Sequence, residues 1–132
     1  MPSIQEDCIF CKKTNCAVIS TTKYFFLIRD TSYPVTKYHT LIITNRHVSD
    51  FFDLTKEEMS ELDKILKNQK IELKNLDNKI SGFNVGVNIG KNAGQSIMHC
   101  HIHLIPRRKG DVKDPSGGVR GVIPEKQKYK RK

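Results

Sequence analysis

The sequence predicts a single α+β domain with a mainly antiparallel β-sheet and one long helix. Two observations favour this class: short apolar stretches with the character of strands stand on both sides of one longer stretch, and the apolar residues of that longer stretch recur with helical spacing. At 132 residues the chain is long enough for one domain with its own core. Hydrophobic residues make up 37% of the chain and charged residues 28%, which excludes a disordered chain and predicts a globular protein.

The first half of the chain supplies two strands and the helix. We predict strands at 24–30 (YFFLIRD) and 39–44 (HTLIIT), both rich in residues that strands prefer. Thr55 and Glu58 have the spacing of a capping box, so the helix is expected to begin there. The apolar positions of the helix keep roughly one face, which comprises Met59, Leu62, Ile65, Leu66, Leu73 and Leu76.

The second half supplies two more strands, joined by a glycine-rich loop. Apolar residues alternate over 83–89 (FNVGVNI), and the next apolar stretch covers 97–106 (IMHCHIHLIP). The loop GKNAGQ at 90–95 lies between them. We therefore expect the two strands to pair as an antiparallel hairpin at the centre of the sheet.

Histidines occupy alternate positions of the last predicted strand, at His99, His101 and His103. Successive side chains of a strand point to opposite faces, so the three imidazoles share one face and the intervening apolar residues face the core. Burying three imidazoles without partners would cost free energy. Three interpretations remain: a metal site, covalent or acid–base chemistry on a phosphate, or a solvated polar face without a role.

The loop before these histidines favours chemistry on a phosphate. Gly90 and Gly94 allow the backbone to approach an anion closely, and Gln95 and Ser96 follow directly. Backbone N–H groups and the Ser96 hydroxyl are suited to phosphate oxygens. Alone, such a loop is more often an ordinary hairpin connection, but beside three histidines it indicates half of a phosphate site.

The net charge of +9 is concentrated near the C-terminus. Residues 107–109 read RRK and the last seven residues read KQKYKRK, so we expect a solvated, flexible basic tail from about residue 125. Such a balance attracts phosphates of any kind, and nucleic acid is an alternative partner to a nucleotide.

The sequence also bears on where in the cell the protein is found. The sequence has no apolar run near the ~20 residues that a bilayer crossing needs, and its first residues do not resemble a signal peptide. We therefore expect a cytoplasmic protein without a membrane segment. In the cytoplasm, Cys8 and Cys11 in a C-x-x-C spacing indicate metal or redox chemistry. Cys16 is a spare candidate ligand, and Cys100 is expected to be a small buried residue.

Several stretches together resemble the histidine triad (HIT) family of nucleotide hydrolases and transferases. HCHIHLI at 99–105 matches the family's alternation of histidine and apolar residues. The other resembling stretches are CIFCKK at 8–13, the second-strand region at 33–55 and the active-site hairpin at 86–107. The segment DPSGGVRGVIPEKQKY from Asp114 is similar to bacterial diadenosine-tetraphosphate hydrolase-like members. The resemblance implies a single HIT domain over 1–132, with a sheet of about five strands that continues across a homodimer.

The resemblance also implies roles for individual residues. His101 matches a nucleophile that attacks the α-phosphate and forms a nucleotidyl-histidine intermediate. His103 matches the histidine that supports the leaving group, and His39 matches an upstream histidine beside this pair. Residues that match nucleotide-contacting positions are Asp30, Asn88, Gln95 and Ser96, and Gln95 also belongs to the implied catalytic group.

Cys8 and Cys11 supply half of a tetrahedral zinc site. The resemblance implies His47 and His99 as the other two ligands of a structural zinc, which would tie the N-terminus to the hairpin and position the strand that carries His101. The alternative is a pair of reduced cysteines near the surface without metal.

The implied activity is hydrolysis of a dinucleoside polyphosphate or a nucleoside phosphoramidate, with release of a nucleoside monophosphate. A nucleotidyltransferase is the second hypothesis, although that branch usually has glutamine where this chain has His103. The third is a zinc-stabilised binding module for nucleotides or nucleic acid with little turnover. The chain departs from many members at Tyr38 and Asn45, which replace glycine and proline, and it contains no tryptophan, unlike one phosphoramidase branch.

Overall fold

The computed structural model describes residues 8–13 and 17–129. In chain order, its α-helices and strands are α1 (Ile9–Lys12), β1 (Val18–Thr21), β2 (Phe25–Arg29), β3 (Thr40–Thr44), α2 (Lys56–Leu76), β4 (Ile80–Gly86) and β5 (His101–Arg108). Short 3₁₀ turns connect or follow them, among them Lys91–Ala93 in the glycine-rich loop and Gly118–Val122 near the C-terminus.

The strands form one antiparallel sheet in the order β1-β2-β3-β5-β4, which confirms the predicted α+β class. The sequence does not predict β1, because this strand is only four residues long and all of them are exposed. The expected place of the hairpin at the centre of the sheet is wrong for this chain, since β4 is the outermost strand beside β5.

The bounds of both hairpin strands also need correction. The strand predicted at 83–89 lies at 80–86, and the strand predicted at 97–106 begins at His101 and ends at Arg108. At its start, the N–H of Cys100 donates to Val48 O in the segment after β3, at 2.6 Å, and not to β4. His99 therefore precedes the strand and lies beside the segment that follows β3.

Both faces of the sheet are covered. On one face α2 packs on a core that includes Phe25, Leu27, Ile42, Cys100 and Ile102. On the other face Phe10 of α1 packs on Phe26, Ile28, Leu41 and Ile43. The burial of Cys100 is as predicted, and it raises the pKa of the thiol to about 12. The histidines lie on the Phe10 face.

The predicted capping box begins α2. Thr55 Oγ1 accepts from the N–H of Glu58 at 3.0 Å, and Glu58 Oε1 accepts from the N–H of Thr55 at 2.8 Å. Glu58 is only 1% exposed, and Arg46 donates to both of its carboxylate oxygens. Burial alone would raise the pKa of Glu58, but the hydrogen bonds from Arg46 and Thr55 lower it below its ordinary value. This pair fixes the segment before His47 to the helix.

Replacing Glu58 with glutamine is expected to lower the free energy of unfolding by about 2 kcal/mol, because it leaves the Arg46 guanidinium without its charge partner. Urea unfolding of the two proteins measures this difference. The matched control is Asp63→Asn, which removes an exposed pair with Lys67 on the same helix and should change stability by less than about 0.5 kcal/mol. Equal losses in the two variants would contradict a special role for the buried pair.

The C-terminal segment, residues 110–129, lies beside β4 and β5. Arg107 donates to Asp111 and to Asn84 Oδ1, and Lys128 pairs with Asp114 at 2.9 Å. The part of the basic tail that the structure describes, up to residue 129, includes a 3₁₀ turn at Pro124–Lys126. None of the helices in the described residues combines the length and apolar character that a bilayer crossing requires.

Candidate active site and metal centre

His101 is held by the backbone of the residue two positions before it. Its Nδ1 lies 2.8 Å from His99 O, and only a protonated Nδ1 can donate to a carbonyl oxygen. In the neutral ring the Nε2 lone pair is therefore free to act as a nucleophile. His101 is 8% exposed, and Phe10 packs edge-on against its ring with ring centroids 5.1 Å apart.

The side chains of His39 and His103 are hydrogen-bonded to each other, with His39 Nε2 2.9 Å from His103 Nδ1. The N–H of Val35 donates to His39 Nδ1 at 3.0 Å, so that nitrogen carries no proton. A neutral His39 must then donate from Nε2 to His103 Nδ1, which leaves the proton of a neutral His103 on its Nε2. A backbone amide thus sets the tautomers of both rings and makes His103 a hydrogen-bond donor at Nε2.

The three rings are poor at taking up protons. Burial lowers the pKa of His39, with partial opposition from Asp30, whose Oδ2 lies 3.9 Å from His39 Nδ1. Burial also lowers the pKa of His101. For His103, burial and the neighbouring rings His101 and His39 lower the pKa to about 4. All three rings are therefore neutral at pH 7.

Acid is expected to destabilise the protein through His103. The pKa of this residue is about 4 in the fold and about 6.5 in the unfolded chain, so the unfolded chain takes up the proton first. The contribution of neutral His103 to the free energy of unfolding is complete above pH 6.5 and decreases as the pH falls towards 4. The decrease is about 2 kcal/mol between pH 7 and pH 4.5. Urea unfolding at both pH values should show a larger loss for the native protein than for His103→Asn. Equal losses would contradict the assignment.

The glycine-rich loop at 90–95 is braced by the side chain of Gln95. Its Oε1 accepts from the N–H of Gly90 at 2.9 Å, and its Nε2 donates to Ser49 O and Ile97 O at 3.0 and 3.2 Å. Gly90 and Gly94 have φ of 89° and 99°, a region that favours glycine. Ser96 is exposed at the end of this loop, and Asn88 is half-buried before it.

Asp30 lies at the end of β2, at the rim of a cavity of about 410 Å³. Its Oδ1 accepts from the N–H groups of Ser32 and Tyr33, both at 3.1 Å, and so shapes the connection to His39. Tyr38 in this connection has φ of 71°, a conformation that a glycine would adopt with less strain. The cavity, called here the Asp30 cavity, is otherwise lined mainly by apolar side chains, including Ile9, Phe10, Ile28, Leu41 and Ile97.

Four predicted ligands lie together on the Phe10 face. The ligand atoms of Cys8, Cys11, His47 and His99 all lie within 4.8 Å of one another. His99 Nδ1 is 3.4 Å from both sulfur atoms, and Cys11 Sγ is 3.2 Å from His47 Nδ1. Cys16 lies outside the described residues.

The donor set fits a zinc ion. With Zn–S and Zn–N bonds of about 2.3 and 2.1 Å, a tetrahedral site separates its sulfur and nitrogen ligands by about 3.5 Å, close to the separations here. His99 Nε2 also lies 2.7 Å from Thr44 O, so this nitrogen donates and the Nδ1 lone pair faces the two cysteines. A carbonyl in this position is the usual partner of a metal-binding imidazole.

The structure thus brings together His39, His101 and His103, and separately the four candidate metal ligands. Sequence reasoning missed two contributors, Phe10 and the N–H of Val35. The position of Phe10 between two candidate ligands was a usable signal, because an apolar residue there is expected to pack beside the metal site. A backbone N–H leaves no signal in the sequence.

Comparisons with known proteins point to one family. The HIT domain model matches residues 12–110. An uncharacterized HIT-like protein of Methanocaldococcus jannaschii is 33% identical over 108 residues, which cover 79% of this chain and 81% of that protein. The AP-4-A phosphorylase of Mycobacterium tuberculosis is 39% identical over 81 residues, 61% of this chain but only 41% of that protein.

A solved structure extends the similarity to the fold. The crystal structure of a Zn-bound histidine triad family protein from Mycobacterium smegmatis superposes with a TM-score of 0.72 at 28% identity, covering 82% of this chain and 80% of that one. The family model covers most of the chain, and the histidine-bearing strand and the five-stranded sheet agree with it. The chain therefore belongs to the histidine triad (HIT) family.

Proposed function

We propose that the chain is a nucleotide hydrolase that attacks the α-phosphate of a dinucleoside polyphosphate or a nucleoside phosphoramidate and releases a nucleoside monophosphate. The observation that carries this proposal is the His101 ring, whose Nδ1–H is held by His99 O while its Nε2 lone pair is free. The similarity to a protein named AP-4-A phosphorylase supports a dinucleoside polyphosphate as one substrate class.

The reaction proceeds in two displacements. The His101 Nε2 lone pair forms a bond to the α-phosphorus, and the bond to the leaving group breaks with its electron pair on the departing atom. A departing phosphate leaves as an anion, and a departing amine also takes a proton from solvent. A water oxygen then attacks the phosphorus, the P–N bond breaks with its pair returned to Nε2, and one water proton goes to solvent.

The neighbouring residues support these steps. His103 donates a hydrogen bond from Nε2 to the phosphate oxygens and the leaving group, and His39 keeps it in that tautomer. Ser96 and Asn88 are the proposed polar contacts at the loop. Gln95 acts by bracing that loop, since its amide already bonds three backbone groups, and a direct contact of Gln95 with phosphate requires one of these to open.

The Asp30 cavity is the proposed nucleoside site. Its volume of about 410 Å³ and its apolar lining suit a base, and Asp30 at the rim offers a carboxylate oxygen for ribose hydroxyls. Oδ1 is already engaged with two backbone N–H groups, so Oδ2 is the oxygen available for this contact.

A structural zinc at Cys8, Cys11, His47 and His99 belongs to the proposal. The ion would hold α1 against the segment that precedes β5 and fix His99, whose carbonyl oxygen orients His101. It supplies rigidity and takes no part in the displacement itself.

The proposed assembly is a homodimer of single HIT domains that pair through α2 and the neighbouring strand to continue the sheet. β4 is the outermost strand on that side of the sheet, and its Val85 is exposed. Sedimentation tests this, since a species of one chain mass at micromolar concentration would overturn it. Cytoplasmic location is part of the same proposal.

A transferase is the second candidate, favoured by the similarity to an AP-4-A phosphorylase. In that reaction inorganic phosphate replaces water in the second displacement, so a nucleoside diphosphate appears in place of a monophosphate. His103 at the third triad position favours the hydrolase.

The test is product analysis with diadenosine polyphosphates and adenosine phosphoramidate, with and without inorganic phosphate. We expect adenosine monophosphate whose yield does not depend on added phosphate. Adenosine diphosphate that requires phosphate would assign the transferase, and nucleotide binding without turnover of any substrate would leave a binding module.

A further inference from the structure

The helix α1 is a single turn whose position depends on the contacts of its side chains. Its backbone hydrogen bonds, from the N–H of Lys12 to Cys8 O and from the N–H of Lys13 to Ile9 O, close within that turn. One turn of helix is not stable without tertiary contacts. Packing on the sheet and the candidate metal ligands Cys8 and Cys11 therefore hold the turn in place.

The same turn supplies one wall of the Asp30 cavity. Ile9 and Phe10 both line this cavity. The buried ring of Phe10 also lies edge-on to the rings of His99 and His101, with ring centroids 5.9 and 5.1 Å apart. Phe10 therefore lies against a candidate metal ligand, the proposed nucleophile and the nucleoside cavity at once.

A second wall of the Asp30 cavity is tied to the same ligands. Ile97 lines the cavity and lies two residues before His99. Ile97 and Cys8 pack against the same apolar cluster on the Phe10 face. Without an ion, hydrogen bonds of 3.4 Å between His99 and the two cysteine sulfurs join these segments, and a thiol is a weak donor. A bound metal would clamp together two segments that both border the cavity.

We propose that the metal and the base of a nucleotide bind cooperatively, because the ion clamps the walls formed by Ile9, Phe10 and Ile97. The inference rests on the proposed function, from which it takes the nucleoside site and the zinc ion, and it adds control of that site by the metal. A wall that is not held must be ordered when the base binds, and the ion supplies this order in advance.

Such coupling is reciprocal. The factor by which zinc raises the affinity for a nucleotide must equal the factor by which the nucleotide raises the affinity for zinc. The concentration of free zinc would thereby set how tightly the protein holds its nucleotide.

The first measurement is the affinity of the zinc-loaded and the metal-free protein for three probes, by calorimetry well below the melting temperature of the metal-free form. Adenosine monophosphate and adenosine contain the base, whereas ribose 5-phosphate keeps the sugar and the phosphate without it. We expect zinc to raise the affinity for both adenine probes by about tenfold, a usual value for coupled sites. The affinity for ribose 5-phosphate should change by less than about twofold, because this probe has no base to contact the walls.

The second measurement is the affinity for zinc, by competition with a chelator. Adenosine is the probe here, because it has no phosphate that could bind the metal itself. Saturating adenosine should raise the affinity for zinc by the same factor of about ten.

Two variants within α1 locate the coupling. Ile9→Ala shortens a side chain that is 53% exposed, so the variant should fold and keep one zinc per chain. Its zinc-loaded form should bind adenosine monophosphate about fivefold more weakly than the native protein, while its metal-free form stays within about twofold. Lys12→Gln is the matched control and should keep the full coupling, since Lys12 is exposed in the same turn and does not line the cavity.

The outcomes separate this inference from the proposed function. If the protein binds neither adenine probe, the proposed nucleoside site fails and the inference fails with it. If the protein takes up no zinc, the zinc part of the proposed function fails and the inference is overturned as well. If both bind but the coupling is absent, the inference alone is overturned. Full coupling for ribose 5-phosphate, or in Ile9→Ala, would also overturn it, because the coupling would then run through the phosphate side of the site.

Circular dichroism shows whether the metal-free protein is folded. If it is not, the rate at which the loaded proteins lose zinc to a chelator takes the place of the comparison. Adenosine should slow this loss about tenfold in the native protein and in Lys12→Gln, but less than about twofold in Ile9→Ala. Equal slowing in the two variants would overturn the inference.

Discussion

Replacing His101 with alanine is expected to lower the rate of nucleoside monophosphate release by about 10⁴-fold or more. Hydrogen bonding to His99 O fixes the proton of His101 on Nδ1, so Nε2 is the atom that can attack. The other two imidazole rings, those of His39 and His103, are hydrogen-bonded to each other and so have different roles. Neither can replace the lost nucleophile without breaking that bond.

Two further variants make the result specific. Asparagine at 101 can still donate to His99 O from its amide but has no nucleophilic nitrogen, so His101→Asn should be as inactive as the alanine variant. Ile102→Val changes the next residue, which faces the opposite core, and should keep turnover within about twofold. Both inactive variants should still bind adenosine monophosphate.

Turnover that survives in either His101 variant would remove the covalent mechanism and leave direct attack by water. A second check is the intermediate itself. When the native protein is quenched in alkali during turnover, a protein of chain mass plus one adenylate group should be found, and it should be missing from His101→Asn.

The alternation of histidine with apolar residues was enough to predict which face of the sheet His101 and His103 share. His101 and His103 share the Phe10 face because Cys100 and Ile102 enter the core beneath α2. Period-two patterning is a local property, so the sequence contains it. The capping box at Thr55 and Glu58 is local in the same sense, and the structure confirms it.

Contacts between distant parts of the chain were not predictable in the same way. The bond from His39 to His103 joins residues 64 positions apart and depends on the β3–β5 register, which places Leu41 opposite His103. That register is set by the packing of whole strands. The position of Val119 and Val122 beside His103 is likewise a contact between distant parts of the chain, which the sequence of their segment does not predict.

Removing the metal is expected to lower the free energy of unfolding by about 4 kcal/mol, the value for a ligand present at about 1,000 times its dissociation constant. For a chain of this size the melting temperature should fall by roughly 10–15 °C. Calorimetry with and without a zinc chelator measures the change, and elemental analysis should find one zinc per chain. A large loss of stability is expected because the four ligands join α1 to segments about 36 and 90 residues further along the chain.

The cysteines offer a matched pair of variants. Cys11→Ser removes a ligand and should abolish zinc retention together with the response to chelator. Cys100→Ala alters a buried thiol outside the cluster and should keep one zinc per chain despite some loss of core packing. Because His99 both belongs to the cluster and orients His101, the Cys11 variant should also lose turnover, with nucleotide affinity reduced less than kcat. A native protein that purifies without zinc and melts at the same temperature with chelator would instead establish Cys8 and Cys11 as a reduced pair, and His99 would then be held by Thr44 O alone.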